Sequence, residues 1–202
     1  MFVFVGLGNP GSEYKRTRHN AGFLFLDYLF DQYKSTASGE KSNFTFADIS
    51  IQRNKIRLIK PTTYMNLSGA AVKKAVGELV TNNIDFDVKK DLWIIHDDVD
   101  LAPGQIKIKE SGGDAGHNGV KDIIATLGSP DFVRVRIGVG RPSDKTKRIG
   151  TADYVLDDFT KEEKELLLND SFPRVHRFIK ESFAIGYQKA KSRLTLELGQ
   201  SK

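Results

Sequence analysis

The sequence contains no cysteine, and none of its 202 residues belong to a hydrophobic run long enough to cross a membrane. A chain without cysteine forms no disulfides and offers no thiolate to a substrate, a zinc ion or an iron–sulfur cluster. A membrane span needs about 18 consecutive apolar residues, and the first apolar run, residues 1–5, meets glycine too soon for a signal peptide. We therefore expect a cytoplasmic protein that makes no membrane contact.

Basic charge is concentrated in two parts of the chain rather than spread evenly. The net charge is +5, and residues 1–20 and 101–150 together hold all of the excess. Such a concentration is typical of a surface that binds a polyanion, although solvated lysines on a mildly basic protein are the simpler explanation. The apolar and charged fractions, 39% and 28%, are ordinary, and no repeat or linker divides the chain, so a single domain over residues 1–202 is expected.

The pattern of apolar residues predicts strands that alternate with helices. Strands are predicted at residues 2–5, 44–51, 56–60, 92–95, 105–109 and 132–139. Helices are predicted at residues 22–33, 68–79, 118–127, 160–168 and 173–191, with Ser68 as the N-cap of the second. Residues 34–42 are small and polar and predict a loop. The alternation predicts an α/β fold, a three-layer α/β/α sandwich around a central mixed, twisted sheet.

Three polar motifs follow predicted strands, at residues 8–11, 61–69 and 96–98. Because ligands gather beyond the carboxyl ends of the strands in such sheets, we expect these motifs to converge. The first formally fits the G-x-G-x-x-G pattern of dinucleotide-binding proteins. However, Pro10 and Gly11 form a turn where that pattern needs a helix, and no second strand ends in an acid about 20 residues later. A nicotinamide or flavin cofactor is therefore not expected.

Histidines and carboxylates in these motifs are candidates for acid–base chemistry. His19 lies just before a predicted helix, whose positive end disfavours imidazolium and would keep the ring neutral as a base. A capping histidine without chemistry is the alternative. Asp97 or Asp98 could orient such a histidine, bind a metal or cap a turn. The four histidines show no H-E-x-x-H spacing, so no zinc site is predicted.

Amide and basic side chains complete the set of candidates. Asn66 and Asn118 stand near predicted helix starts, where an amide could polarise a substrate carbonyl or belong only to the helix start. The glycine-rich loop at residues 112–116 could bind a phosphate, or this region could be a solvated strand face. The basic residues around that loop are Lys107, Lys109, Lys121, Arg134 and Arg136. No G-x-S-x-G elbow is present, so a hydrolase here would use activated water.

Taken together and in this order, the motifs resemble those of the bacterial-type peptidyl-tRNA hydrolases. The matching stretches are residues 5–14, 17–22, 60–69, 96–101, 116–119 and 136–140. The resemblance implies hydrolysis of the ester between a peptide and the 3′ end of tRNA, which recycles tRNA from aborted translation. It also implies a monomer without metal or cofactor whose partner is peptidyl-tRNA, contacted at its 3′ end and its backbone phosphates.

The resemblance also assigns roles within the catalytic part of the site. His19 would be the general base that activates water, and Asp97 would keep it in its basic form. Asn9 would help to distinguish a blocked α-nitrogen from a free amine. Asn66 and Asn118 would hold the peptide ester and polarise its carbonyl. Ester hydrolysis needs such a base, an orienting acid and amide donors at the developing oxyanion.

Further residues would contact the nucleic acid, again as the resemblance implies. Tyr14, Tyr64 and Met65 would flank the terminal nucleotide or the peptide. Lys109 and Arg136 match the clamp that this family places on a tRNA phosphate. Recognition through phosphates and an end-stacked base suits an enzyme that serves every tRNA.

Three other interpretations are weighed against this one. The chain could be a non-catalytic RNA-binding protein on the same scaffold, or a dinucleotide oxidoreductase. It could also be a metal-dependent hydrolase whose ligands are His96, Asp97, Asp98 and His117.

One departure from the pattern expected of the family is Asp114 in the glycine-rich loop, because an acid there weakens the loop as a phosphate site.

Overall fold

The computed structural model describes residues 1–82, 84–142 and 150–200, and in these a seven-stranded sheet lies between two layers of helices. The strands are β1 Phe2–Gly6, β2 Ala37–Glu40, β3 Phe44–Ile51, β4 Asn54–Pro61, β5 Leu92–Asp98, β6 Ile106–Lys109 and β7 Val133–Gly138. The helices are α1 Ala21–Gln32, α2 Ser68–Thr81, α3 Val88–Asp91, α4 Asn118–Leu127, α5 Thr151–Leu156, α6 Lys161–Leu166, α7 Phe172–Ile185 and α8 Tyr187–Gln200. The predicted α/β class is confirmed. None of the described helices is both long and apolar enough to cross a membrane.

The strand order is β2-β3-β4-β1-β5-β7-β6. The four central strands, β4, β1, β5 and β7, run parallel, whereas the strands at the two edges pair antiparallel. The chain leaves β1 first towards β4 and later towards β5, on the opposite side. The strand order therefore reverses around β1, and the carboxyl ends of strands at such a point form the usual ligand crevice of an open α/β sheet.

Alternation along the central strands divides the core into two halves. Phe4 and Trp93 point to the side that α1, α7 and α8 cover, and their rings lie 5.0 Å apart between centroids. Val3, Val5 and Ile94 point to the side that α2 and α4 cover. Both faces of these strands are thus buried, which explains why the sequence shows continuous apolar runs there rather than alternation.

Two segments differ from the sequence-based prediction. Residues 34–42, predicted as a loop, contain β2, which pairs antiparallel with β3 at the sheet edge. All four residues of β2 are exposed, so no hydrophobic pattern marks this strand. The predicted helix at residues 173–191 is in fact two helices, α7 and α8. Gly186 separates them with φ +89°, a backbone angle that a right-handed helix does not contain.

The start of α2 also differs from its prediction. Ser68 is the first residue of α2 rather than its N-cap, because a 3-10 turn, Met65–Leu67, precedes it. Its buried hydroxyl donates to the carbonyl oxygen of Met65 at 2.8 Å. The bond holds the turn, and the turn carries side chains of the 61–69 motif towards the strand ends.

The start of α1 lies unusually close to the sheet. A Cβ atom on Gly22 would lie 2.3 Å from the carbonyl oxygen of Ile95 and 2.4 Å from the backbone nitrogen of Leu7. Real Cβ atoms do not approach backbone so closely, so only glycine permits this contact. Because His19 is three residues before Gly22, the contact brings it to the end of β5.

We predict that Gly22→Ala lowers the free energy of unfolding by on the order of 3 kcal/mol, because rigid backbone on both sides must move. The matched control is Gly77→Ala in α2, where a Cβ would meet nothing within 4 Å. This control should raise stability by about 0.4–1 kcal/mol, since alanine restricts the unfolded chain. Denaturant unfolding of the two variants measures the difference. Equal stabilities would contradict the close approach of α1.

Candidate active site

A cleft of about 910 Å³ opens at the carboxyl ends of β1, β4 and β5. The start of α4 and one side of α5 form its other walls. Predicted site residues that line the cleft are Asn9, His19, Tyr64, Met65, Asn66, Asp97 and Asn118. The motifs that follow the three strands therefore converge, as the topology of the sheet leads one to expect.

His19 and Asp97 form a hydrogen-bonded pair at the base of the cleft. His19 Nδ1 lies 2.9 Å from Asp97 Oδ1, and both side chains are buried. The prediction that the strand ends before His96 is wrong, because ladder pairing with β7 extends β5 through Asp98. Since alternation persists to Asp98, Asp97 faces His19 whereas Asp98 points to the opposite face of the sheet.

A second histidine contacts the same carboxylate oxygen. His117 Nε2 lies 3.0 Å from Asp97 Oδ1, while the backbone N–H of Val120 donates to His117 Nδ1 at 3.3 Å. Because Nδ1 accepts this bond, the ring proton is on Nε2 and is donated to Asp97. The sequence reasoning considered His117 only as a metal ligand or a helix-start residue. Its contact with Asp97 joins positions 20 residues apart, and no spacing rule predicts it.

The pKa values follow from these contacts. Burial alone would raise the pKa of Asp97, but His19 and His117 outweigh it and hold that pKa far below its usual range. Burial lowers the pKa of His19, but the charge and hydrogen bond of Asp97 outweigh this and raise it above 6.5. The helix end alone predicts a ring that stays neutral, whereas the net shift of the His19 pKa is upward, because the charge and hydrogen bond of the adjacent buried Asp97 outweigh burial.

The protonation state of the pair follows from the ionised carboxylate. Asp97 only accepts hydrogen bonds, so His19 donates to it from Nδ1 and its lone pair is on Nε2. That nitrogen has no hydrogen-bond partner among the described residues. When the pH is above the pKa of His19, the neutral ring is therefore held as the tautomer with its proton on Nδ1. Its basic nitrogen, Nε2, is then available to a water molecule in the cleft.

The carboxylate and imidazole groups also form the one potential metal-binding cluster in the described parts of the chain. Ligand atoms of His19, Asp97 and His117 lie within 4.8 Å of one another. His96, Asp97, Asp98 and His117, the four ligands considered from the sequence, all line the cleft but do not form such a cluster. Asp98 leaves β5 on the side opposite to Asp97, and His96 Nδ1 donates to the carbonyl oxygen of Asp97. A metal ion bound by Asp97 in this cluster would have to displace the protons that His19 and His117 donate to its carboxylate.

Asn9 is held by three hydrogen bonds that leave its side-chain Nδ2 without a partner among the described residues. Asn20 Oδ1 accepts from the backbone N–H of Asn9 at 2.8 Å, and Asn20 Nδ2 donates to the carbonyl oxygen of Asn9 at 3.0 Å. The backbone N–H of Met65 donates to Asn9 Oδ1 at 2.8 Å. The Nδ2 group of Asn9 is thus left as a donor in the cleft. Sequence reasoning did not single out Asn20, although it lies in the 17–22 motif.

The remaining predicted cleft residues differ in exposure. Tyr64, Asn66 and Asn118 are exposed in the cleft wall, and Met65 is buried beneath it. Tyr14 does not line the cleft among the residues described, but lies in the 3-10 turn Ser12–Tyr14. Its contact with a terminal nucleotide or a peptide stays a prediction.

Lys109 and Arg136 lie outside the cleft, on the face of the sheet that β6 and β7 share. In the register of these strands Lys107 is opposite Arg136 and Lys109 is opposite Arg134. The four residues point to one side, because Ile106, Ile108 and the alternate residues of β7 belong to the core on the other side. The predicted basic cluster is therefore present.

The two arginines of this cluster are buried, unlike the two lysines, so the alternative of a solvated strand face is wrong for them. Arg134 donates from Nη1 and Nη2 to the carbonyl oxygens of Gly113 and Gly112, each at 2.7 Å. Arg136 donates from Nε to Asp98 Oδ2. The glycine-rich loop is thus attached to the basic face by Arg134.

A wall of the cleft that the sequence did not predict comes from α5. Arg18, next to His19, pairs with Glu163 at 2.9 Å and its guanidinium lies 4.3 Å from the centroid of the Tyr154 ring. Arg18 also donates to the carbonyl oxygen of Tyr154 at 3.2 Å. The segment that carries His19 and the helix that closes one side of the cleft are therefore held together.

A histidine paired with a buried carboxylate, together with amide side chains in a cleft at the strand ends, is an arrangement that suits a hydrolase with an α/β fold. The model of a family described as peptidyl-tRNA hydrolase matches residues 3–201. The chain belongs to the peptidyl-tRNA hydrolase family, as its motifs indicate.

Relatives over most of the chain agree with this assignment. A peptidyl-tRNA hydrolase of Thermodesulfovibrio yellowstonii is 45% identical over 164 residues, 81% of this chain and 83% of the relative. One of Geobacillus thermodenitrificans is 46% identical over 170 residues, 83% of this chain and 86% of the relative. The crystal structure of the Acinetobacter baumannii peptidyl-tRNA hydrolase superposes with a TM-score of 0.80 at 34% identity, covering 96% of this chain and 94% of that one.

We predict that Asp97→Asn lowers the pKa of His19 to below 6.5, because burial remains while the charge that outweighs it is removed. NMR titration of the His19 ring measures this pKa. The matched control, Asp48→Asn, removes a carboxylate that pairs with Arg57 at 2.8 Å on β3 and should leave the pKa of His19 unchanged. A His19 pKa that stays above 6.5 in Asp97→Asn would contradict the role of this carboxylate.

Proposed function

We propose that the chain hydrolyses the ester between a peptide and the 3′ end of tRNA by water that His19 activates. The observation that carries the proposal is the His19 ring in the cleft, which donates from Nδ1 to a buried ionised Asp97 and whose Nε2 has no partner among the described residues. Nε2 takes a proton from water as the water oxygen attacks the ester carbonyl. The tetrahedral intermediate then expels the ribose oxygen, which receives the proton back from the imidazolium.

The asparagines supply the other requirement of ester hydrolysis, donors for the developing oxyanion. We assign Asn66 and Asn118, both in the cleft wall, to the peptide ester and its carbonyl. Asn9, whose free donor is Nδ2, is assigned to the recognition of a blocked α-nitrogen. Nδ2 can donate to the carbonyl oxygen of the acyl group that blocks the α-nitrogen, and a free ammonium offers no such acceptor, so this difference would exclude aminoacyl-tRNA with a free amine.

The nucleic acid is assigned to the basic face and to the rim of the cleft. Lys109 and Arg136 would hold a backbone phosphate, because they belong to the four basic residues on the β6–β7 face. Tyr64 and Met65 would flank the terminal nucleotide or the peptide, and Tyr14 would add a contact from outside the described cleft wall.

The wider setting of the reaction is also part of the proposal. One chain contributes both the cleft and the basic face, so a monomer and a single domain are sufficient. The substrate is produced by ribosomes, which places the reaction in the cytoplasm. We expect activity without a metal or cofactor, because the potential metal ligands His19 and His117 both donate protons to Asp97. Loss of activity on exhaustive chelation would instead support the metal-dependent hydrolase.

The experiment that tests the reaction compares N-acetyl-aminoacyl-tRNA with the same tRNA carrying a free amine. The wild-type protein should hydrolyse only the blocked substrate. His19→Ala should lower kcat by about 10²–10⁴-fold, the usual contribution of a positioned general base, with tRNA binding nearly unchanged.

Three outcomes would count against the proposal. Salt-sensitive tRNA binding without any ester hydrolysis would support the non-catalytic RNA-binding protein. Equal losses of turnover and binding in His19→Ala would contradict its assignment as the base. A thermal shift with NAD would point to the dinucleotide oxidoreductase.

We predict that Lys109→Ala raises KM and makes the slope of log KM against log salt shallower by about 1, because one phosphate contact is lost. The value of kcat at saturating substrate should stay within about twofold. The matched control is Lys55→Ala, at the start of β4 and thus at the end of the sheet opposite the cleft. An identical salt response of Lys109→Ala and Lys55→Ala would remove Lys109 from the tRNA-binding surface.

A further inference from the structure

Two adjacent carboxylates leave β5 in opposite directions. Asp97 points towards His19 and His117, and Asp98 points to the face that carries Arg136. Both are almost completely buried, with 2% and 6% of their surfaces exposed. Ionised groups at such positions need partners, because an unpaired buried charge is costly. Asp97 has its partners in His19 and His117. The role of Asp98 must therefore be inferred from its own partners.

Asp98 uses both of its oxygens to fix its surroundings. Oδ1 accepts the backbone N–H of Asp100 at 2.9 Å, and Oδ2 accepts Nε of Arg136. A guanidinium group is planar and rigid, so a bond at Nε sets the direction of both terminal nitrogens. Within the described residues, neither Nη1 nor Nη2 of Arg136 has an acceptor. The residue is 8% exposed, so it is not completely closed off from solvent.

The neighbouring arginine on the same strand shows the opposite arrangement. Both terminal nitrogens of Arg134 donate to loop carbonyl oxygens, those of Gly112 and Gly113. Its fork is therefore already occupied, and 2% of the residue is exposed. Arg136 is thus the arginine of this face whose terminal donors remain available to a phosphate, within the residues that the structure describes.

We propose that Asp98 is a positioning residue for tRNA, which aims the terminal nitrogens of Arg136 at a backbone phosphate. The inference rests on the proposed function, and it gives adjacent residues separate tasks. Asp97 acts on the base that activates water, and Asp98 acts on the group that holds the nucleic acid. The two side chains lie on opposite faces of β5 and share no hydrogen-bond partner among the described residues. Asp98 can therefore be substituted while Asp97 keeps its contacts with His19 and His117.

The test is Asp98→Asn, assayed with N-acetyl-aminoacyl-tRNA over a range of salt concentrations. We expect KM to rise about tenfold, kcat to stay within about twofold, and the salt slope to become shallower by about 1. Asp97→Asn should show the reverse pattern, a large loss of kcat with little change in KM. If Asp98 only neutralised charge, Asp98→Asn would lower KM and steepen the salt slope, which would overturn the proposal.

A second variant covers the case in which Asp98→Asn leaves Arg136 buried without a partner and impairs folding. Arg136→Lys keeps a cation beside Asp98, but its ammonium lacks the rigid fork that could hold a phosphate at the same time. It should raise KM as Asp98→Asn does, with a thermal unfolding midpoint near that of the wild type. Wild-type KM and salt slope in Arg136→Lys would refute the assignment.

A double-variant cycle separates positioning from a general effect on the fold. Because Asp98 acts through Arg136, Asp98→Asn should add nothing to the increase in KM that Arg136→Lys causes alone. Additive increases in KM would contradict the proposal. Failure of the proposed function is distinguishable, because the wild-type protein would then release no product, whereas failure of this inference alone leaves wild-type turnover normal.

Discussion

The buried carboxylate of Asp97 is the interaction on which the active site depends. It is 2% exposed and accepts hydrogen bonds from two histidines at one oxygen. A buried ionised carboxylate without such partners would cost several kcal/mol, so the segment before α1, the end of β5 and the start of α4 stabilise one another. The same contacts determine the tautomers of His19 and His117, and they leave the lone pair of His19 on Nε2, which has no partner in the described part of the chain.

The end of β5 carries two adjacent buried carboxylates, Asp97 and Asp98, with different partners. Pairing with β7 keeps β5 extended through Asp98, so alternation sends consecutive side chains to opposite faces. Asp97 meets His19 in the cleft. Asp98 meets Arg136, one of the four basic residues that β6 and β7 share. In the proposed function, ester hydrolysis and nucleic-acid binding therefore meet within a single strand.

Much of the fold followed from local patterns, and its exceptions have a common cause. The apolar run of β1 and the periodicity of α1 and α4 predicted their elements closely, because each buries a large apolar surface. The apolar run of β5 predicted the start of that strand but not its last three residues, which are polar. In contrast, β2 has four exposed residues and is held by pairing with β3. The segment α5 is held against Arg18 by a hydrogen bond to the carbonyl oxygen of Tyr154 and by the Tyr154 ring rather than by an apolar stripe. Hydrophobic periodicity does not report contacts of these kinds.

The sequence by itself determined the class of fold, the family and the main chemical groups, because motif residues and burial patterns are local properties of the chain. His19, Asp97 and the asparagines were recognisable in this way. Only the tertiary structure decided that His117 contacts the same oxygen of Asp97 as His19 does, that Asp98 meets Arg136, and that Asn20 holds Asn9. These contacts depend on where strands end and how closely α1 approaches the sheet, and such distances between remote residues are set by packing of the whole core.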